Sequence, residues 1–434
     1  MYFEIFDPVM PIVNQTRFYA ALAQQPDSIH VRALSHALGA LGALAKPGLA
    51  HIAKTSHIEA RNLLDMCERE EGDAMFGNIN SLQACILLTF YELKQPNFAR
   101  AWMTLGRAIR LSKIMGLPWM DTEAGVPSLY LGPFTPLPSA SVPAETEERR
   151  RTFWQLYILE AFTGMRTNWV SPFEEVSLLM GINYMELQLI HVKISVRLPC
   201  LGVLAEVAGN SDMPTLESVF EAPENPTCLS PFAGMVIVAT LYRRCRNLIH
   251  KSLQGSLYPF WDTYYQIDKL ISRTRSLLLG EHLEIDDKTS HDPLSLIVSM
   301  NLAAVEISLS ELVISKVENE QLRCTPSAEA ISRCISASSC VVEAIRAGMR
   351  RPGKELIFKQ SGALFTWAMT AAIQTYLWML LNGKSNVSTH IESLRFLSEA
   401  MRELVGPMFI RPGLLEQVDA KIAEAEPPAK RSRR

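Results

Sequence analysis

The residues in this 434-residue chain best suited to bind a metal or act as nucleophiles are nine histidines and eight cysteines. Their spacing supports neither role. His30, His36, His51, His57, His191, His250, His282, His291 and His390 form no HExxH pair, the helical spacing that puts two imidazoles on one zinc. His57-Ile-Glu59 is an isolated fragment. Cys67, Cys85, Cys200, Cys228, Cys245, Cys324, Cys334 and Cys340 are scattered without a CxxC pair, so they read as reduced thiols inside apolar helical runs. Gly383-Lys384-Ser385 copies the end of a phosphate-binding loop, but the leading glycine of that motif falls on Trp378. No GxGxxG or GxSxG occurs, so neither a dinucleotide site nor a nucleophile elbow is signalled. The acids of Glu68-Arg69-Glu70-Glu71 and of 145–148 read as solvated helix ends rather than acid–base pairs. A metal-dependent all-α enzyme of the isoprenoid type would need aspartate-rich motifs on facing helices. Asp286-Asp287 is the nearest candidate, and no further spaced acids accompany it. The expectation is a protein that is not an enzyme and needs no cofactor or metal.

Charge narrows the partners. The formal net charge of −3 provides no global basic field for a nucleic-acid backbone. Two local clusters remain. Arg149, Arg150 and Arg151 follow Glu145, Glu147 and Glu148, and at helical spacing such residues pair with each other more readily than with phosphate. Lys430, Arg431, Arg433 and Arg434 follow two prolines at the C-terminus, an extended basic stretch that an acidic import-receptor groove can bind. The tail, taken as 416–434 and most clearly its last nine residues, is expected to be disordered.

The elements that carry these residues are helices. Apolar side chains recur at helical spacing over 81–94, 99–115, 145–165, 232–253, 259–279, 291–317, 328–349, 357–381 and 388–404. Pro96 stops one helix, and Gly116 with Pro118 stops the next. Six prolines between 118 and 143 make a surface loop. The helix over 145–165 places its acids in the first turn, where the helix dipole favours them, ahead of a wide stripe from Phe153 to Met165. Residues 360–383 carry no charge, and 364–381 is long enough to suit a bilayer. Its Thr366, Thr370, Gln374 and Thr375 favour a buried core helix over a membrane anchor. No alternating run suggests a strand. The fold class is therefore all-α, a large multi-helix bundle or array.

Four stretches then carry a resemblance. Tyr2-Phe3 with Pro8, Met10-Pro11-Ile12 and Phe18 resembles the opening of the regulatory domain of fungal zinc binuclear-cluster transcription factors. Arg107-Ala-Ile-Arg110-Leu111 followed by Gly116-Leu117 resembles its next signature helix. Glu148-Arg149-Arg150-Arg151-Thr-Phe153-Trp154-Gln-Leu-Tyr157-Ile-Leu-Glu160 resembles its basic, aromatic-Trp, acidic signature. Ile194-Ser-Val-Arg-Leu198-Pro199-Cys200 resembles the V-x-L-P segment that follows. The chain reads as one regulatory domain over 1–415, best matched over 1–205. Residues 170–192 read as an insertion, or as an untranslated stretch wrongly included in the gene.

The resemblance implies a nuclear regulator of transcription, governing a metabolic or secondary-metabolite gene cluster. Members usually carry a six-cysteine zinc cluster that reads DNA. That spacing does not occur in these residues, so DNA contact is expected to be indirect or weak. Partners would be other regulators or a second copy of the chain, an import receptor, and a small effector held between helices. No membrane is expected.

Overall fold

The computed structural model describes residues 1–69, 77–95, 98–122, 136–164, 173, 194–200, 213–221, 229–253, 260–279, 292–319, 326–351, 353–382, 387–405 and 410–425. Among them there are sixteen α-helices and no strand, apart from one isolated bridge between Arg197 and Thr215. The expected all-α class is what the chain adopts. Within the stretch read as one domain, the chain divides into two compact units, Met1–Ala239 and Thr240–Arg434.

In the first unit the helices are α1 (Tyr2–Ile5), α2 (Gln15–Gln24), α3 (Ile29–Leu44), α4 (Ala50–Arg69), α5 (Ile79–Leu93), α6 (Phe98–Ile114), α7 (Pro143–Gly164) and α8 (Leu216–Glu221); α9 (Pro231–Leu253) contains the boundary. Small residues explain the closest pair. Ala33, Ala37 and Ala40 of α3 are buried, and a Cβ on Gly39 would stand only 3.6 Å from Ser56 Oγ of α4. Gly48, at φ +89°, makes the turn between them. Helix α5 packs on α3 and α6 and is buried on every face from Ser81 to Leu93. Such a helix must bury polar groups as well, and Gln83, Thr89 and Glu92 are each hydrogen-bonded. The N-terminal residues fold over this core. Phe6 is fully buried edge-on against Phe90, and the Tyr2 hydroxyl donates to Met10 O at 2.9 Å.

In the second unit are α10 (Phe260–Leu279), α11 (Pro293–Asn319), α12 (Pro326–Met349), α13 (Glu355–Gln360), α14 (Thr366–Leu381), α15 (Val387–Leu404) and α16 (Leu414–Ala425). Helices α11 and α12 pair along their length, and α14 packs on both and on α15. Helix α11 is the one described helix long and apolar enough to cross a membrane, and 72% of its most apolar window is buried inside the protein. The apolar run at 364–381 is likewise a core helix, with Ala368, Met369, Ala372 and Ile373 buried.

Two expectations need correction. The periodicity over 357–381 suggests one helix, but the chain breaks at Ser361–Phe365 into a 3-10 turn, Gly362–Leu364. A Cβ on Gly362 would lie 1.9 Å from Leu404 O at the end of α15, so the backbone turns where only glycine fits. The Leu364 carbonyl freed by the break accepts a 2.8 Å hydrogen bond from Asn301 Nδ2 of α11. Gly362→Ala is accordingly expected to destabilise the protein by about 1–3 kcal/mol or more through overpacking against backbone, read as a lower urea midpoint. The second correction concerns the tail. Its first ten residues, 416–425, are helical in α16, because Leu414, Leu415, Val418 and Ile422 at helical spacing bury one face. Residues 426–434, with Lys430, Arg431, Arg433 and Arg434, lie outside the described residues, as does most of 170–192.

Candidate functional site

Helix α7 carries the densest set of residues singled out by the sequence, and its charged residues from Glu145 to Arg151 all pair within the protein. Arg149 donates to Pro138 O and to Glu145, each at 2.6 Å. Arg150 makes a two-pronged pair with Asp121, Nε–Oδ2 2.8 Å and Nη2–Oδ1 2.6 Å, with side chains only 4% and 9% exposed. Asp121 Oδ2 also accepts the backbone N–H of Arg197 at 2.9 Å. Arg151 donates to Glu147 at 2.8 Å and to Cys200 O at 3.2 Å, while the Cys200 N–H donates back to Glu147 at 3.0 Å.

The aromatic residues complete the same clasp. Phe153 and Trp154 are fully buried, and Trp154 Nε1 donates to Arg197 O at 2.8 Å. Tyr157 stands edge-on to Trp154 at 5.3 Å. Thus the V-x-L-P segment at 194–200 is fastened to α7 and to Asp121 through four backbone groups of two residues: Arg197 O by Trp154, the Arg197 N–H by Asp121, and both groups of Cys200 by Arg151 and Glu147. Glu160 is buried on the following turn.

On the other side, Glu148 holds the N-terminal segment. It accepts from Asn14 N at 3.0 Å, Arg17 Nε at 2.9 Å and Gln83 Nε2 at 3.1 Å. Gln83 also donates to Ile12 O at 2.7 Å. Glu147 and Glu148 are therefore buried and paired, not the solvated helix end that local sequence suggests. Their partners come from residues up to 134 positions away, which no local pattern reveals.

Arg107 joins α6 to α4. It donates to Asp65 at 2.9 Å and to Leu64 O at 2.6 Å, and its Nε lies 2.6 Å from Glu68. Arg110, by contrast, bonds only its own helix at Gly106 O among the described residues and is exposed. Gly116 takes φ +73° and ends α6, the left-handed cap that its position after the helix implies. The structure thus brings 149–154 and 157 into one network, places Arg107 in a separate one, and leaves Arg110 and Gly116 outside both.

Sequence reasoning missed a second buried cluster. Glu92 of α5 accepts from Arg61 at 2.5 Å and from Thr104 at 2.6 Å, and pairs with His57 Nε2 at 2.8 Å. Burial alone raises the Glu92 carboxyl, but hydrogen bonds from His57, Thr104 and Arg61 outweigh it and hold the group below its ordinary 4.5. A depressed acid binds fewer protons folded than unfolded. Its stabilisation is complete above the ordinary carboxylate value and is lost as pH falls through the folded one. Glu92→Gln should therefore flatten the acid limb of the stability-against-pH curve, measured by urea unfolding at stepped pH.

The chemistry of this site is adhesion. The three arginines at 149–151 each meet a carboxylate, so none is left to hold a phosphate. Among the described residues no three metal-capable side chains converge, and the six described cysteines form no disulfide. The clasp fastens the N-terminal segment, the loop at Asp121 and the 194–200 segment to one helix and so holds the helical domain together.

Comparison with known proteins places the chain in a family. Residues 1–295 match the fungal specific transcription factor domain, and the chain belongs to that family. The match contains all four signature stretches. Among curated relatives, the depudecin biosynthesis cluster-specific transcription activator DEP6 of Fusarium langsethiae is 27% identical over 409 residues, 92% of this chain and 62% of that protein. The pigment biosynthesis transcriptional activator pigB of Monascus ruber is 27% identical over 322 residues, 72% of this chain and 53% of the relative. The citrinin biosynthesis transcriptional activator ctnR of Monascus purpureus is 27% identical over 290 residues, 64% and 44%. The chain spans about three-fifths of the length of DEP6 and less of the others. No solved structure matches.

Proposed function

We propose that this chain regulates transcription of a secondary-metabolite gene cluster from the nucleus, its helical body serving as the regulatory surface. The observation that carries this reading is the α7 clasp. The residues by which the sequence resembles the fungal regulators are spent on building one domain, and relatives that align across 92% of the chain are cluster-specific activators. The six-cysteine spacing of a zinc cluster does not occur in these 434 residues, and in this proposal DNA reading falls to another element. We assign it to a partner regulator or to an oligomer with a zinc-cluster protein. Nuclear entry is assigned to Lys430, Arg431, Arg433 and Arg434, a run of basic residues of the kind that import receptors recognise.

The test is chromatin immunoprecipitation of the tagged full chain beside one lacking 430–434, with imaging of both. The full chain should crosslink to promoters of one biosynthetic cluster, and the shortened chain should stay in the cytoplasm. Exclusion of the full chain from the nucleus contradicts the reading.

A further inference from the structure

The second unit holds a cavity of about 390 Å³ walled by α11, α12 and α14. Its volume falls in the small-molecule range, about 300–1,000 Å³. One side is apolar: Ile314 of α11, Ile331 of α12, and Trp378 and Met379 of α14. The opposite character comes from Glu311 and Glu318, both on α11, and among the described residues no lysine or arginine lines the space. Among the described residues, no side chain forms an ion pair or hydrogen bond with Glu311. Its position explains why this matters. Solvent reaches the carboxyl, yet enough protein surrounds it that burial pushes the group up to about 7. The Cys334 thiol on the facing wall is pushed up to about 12, first by its own burial and then by the Glu311 charge. It is therefore a neutral wall group and not a nucleophile. The Thr375 hydroxyl donates to Ala371 O and is used up within its helix.

A cavity with an unanswered carboxylate and an indole wall favours a cation that brings its own apolar body. A metal ion does not fit. Glu311 and Glu318 are seven residues apart, about 10.5 Å along the helix at 1.5 Å per residue, too far to share one ion. We propose that this cavity binds a small organic amine in its ammonium form, the charged head at Glu311 and the apolar body against Ile314, Ile331, Trp378 and Met379. Glu318, two turns along the same face, adds negative potential that draws the cation in. The site goes beyond the transcriptional reading: it names the chemistry of an effector that the function alone does not specify. The binding is measured on purified protein, so it stands or falls separately from any role at promoters.

The experiment is calorimetric titration of the full chain with 2-(1-naphthyl)ethylamine, and with 2-(1-naphthyl)ethanol, which keeps the ring and lacks the charge. The amine should bind at least about tenfold more tightly than the alcohol. Glu311→Gln should weaken the amine about tenfold and leave the alcohol unchanged, with the thermal unfolding of the variant confirming that it folds. Equal binding of amine and alcohol overturns the proposal. So does unaltered amine affinity in folded Glu311→Gln, or no binding heat up to about 1 mM amine.

Discussion

Replacing Trp154 by alanine is expected to cost about 3–5 kcal/mol, enough to consume roughly a fifth or more of a typical domain's stability. The indole is fully buried, packs edge-on to Phe153 and Tyr157, and closes the 2.8 Å bond to Arg197 O. Alanine leaves a large cavity and an orphaned carbonyl together. Phenylalanine separates the two terms: it keeps most of the packing and loses only the N–H donor, so Trp154→Phe should cost about 1–3 kcal/mol. Urea unfolding of both variants reads the difference. Because Arg197 belongs to the 194–200 segment, the alanine variant should also make that stretch far more sensitive to limited proteolysis. A cost below about 1 kcal/mol for alanine would mean that the Trp154 pocket is not packed as described.

The second large effect is at Arg150. Its guanidinium grips Asp121 with two bonds at 2.8 and 2.6 Å, and neither side chain is more than 9% exposed. Arg150→Met leaves the Asp121 carboxylate buried with, among the described residues, only the Arg197 N–H to face it. Breaking one side of a buried pair costs about 3–5 kcal/mol, mostly from the charge left behind. Removing that charge as well, in Arg150→Met with Asp121→Asn, should recover part of the loss, since asparagine still offers an acceptor to Arg197. A double-mutant cycle should show coupling of at least about 1 kcal/mol. The same pair distinguishes a structural arginine from a phosphate-binding one. A phosphate contact would leave stability untouched and reduce the salt dependence of DNA association; the pairing seen here predicts the reverse.

How much of this was legible beforehand depends on how local the cause is. Helices such as 99–115 and 232–253 are recovered within a residue or two, because their apolar spacing and their stop signals lie in the same stretch. The run at 357–381 misled, because its break is set by contact with Leu404 and by Asn301, neither of which periodicity contains. Helix α16 was hidden by the polar residues that surround its four buried ones. The signature residues on α7 were visible as types, and the pairing of Arg149 and Arg151 with glutamates four residues earlier follows from helical spacing. Asp121, Arg17 and Gln83 were not visible as partners, since tertiary folding alone brings them to the helix. The Glu92 cluster was missed for the same reason: its members stand on α4, α5 and α6, and each alone resembles an ordinary helix residue.

The most direct test of the account is a tethered reporter. The full chain is fused to a heterologous DNA-binding domain and directed to a reporter promoter in a fungal host. Occupancy is measured by immunoprecipitation and transcript by quantitative PCR. The account predicts that the tethered chain changes transcription several-fold over the DNA-binding domain alone, and that Trp154→Ala abolishes the change. Unchanged transcription from a promoter on which the intact chain is present would contradict it.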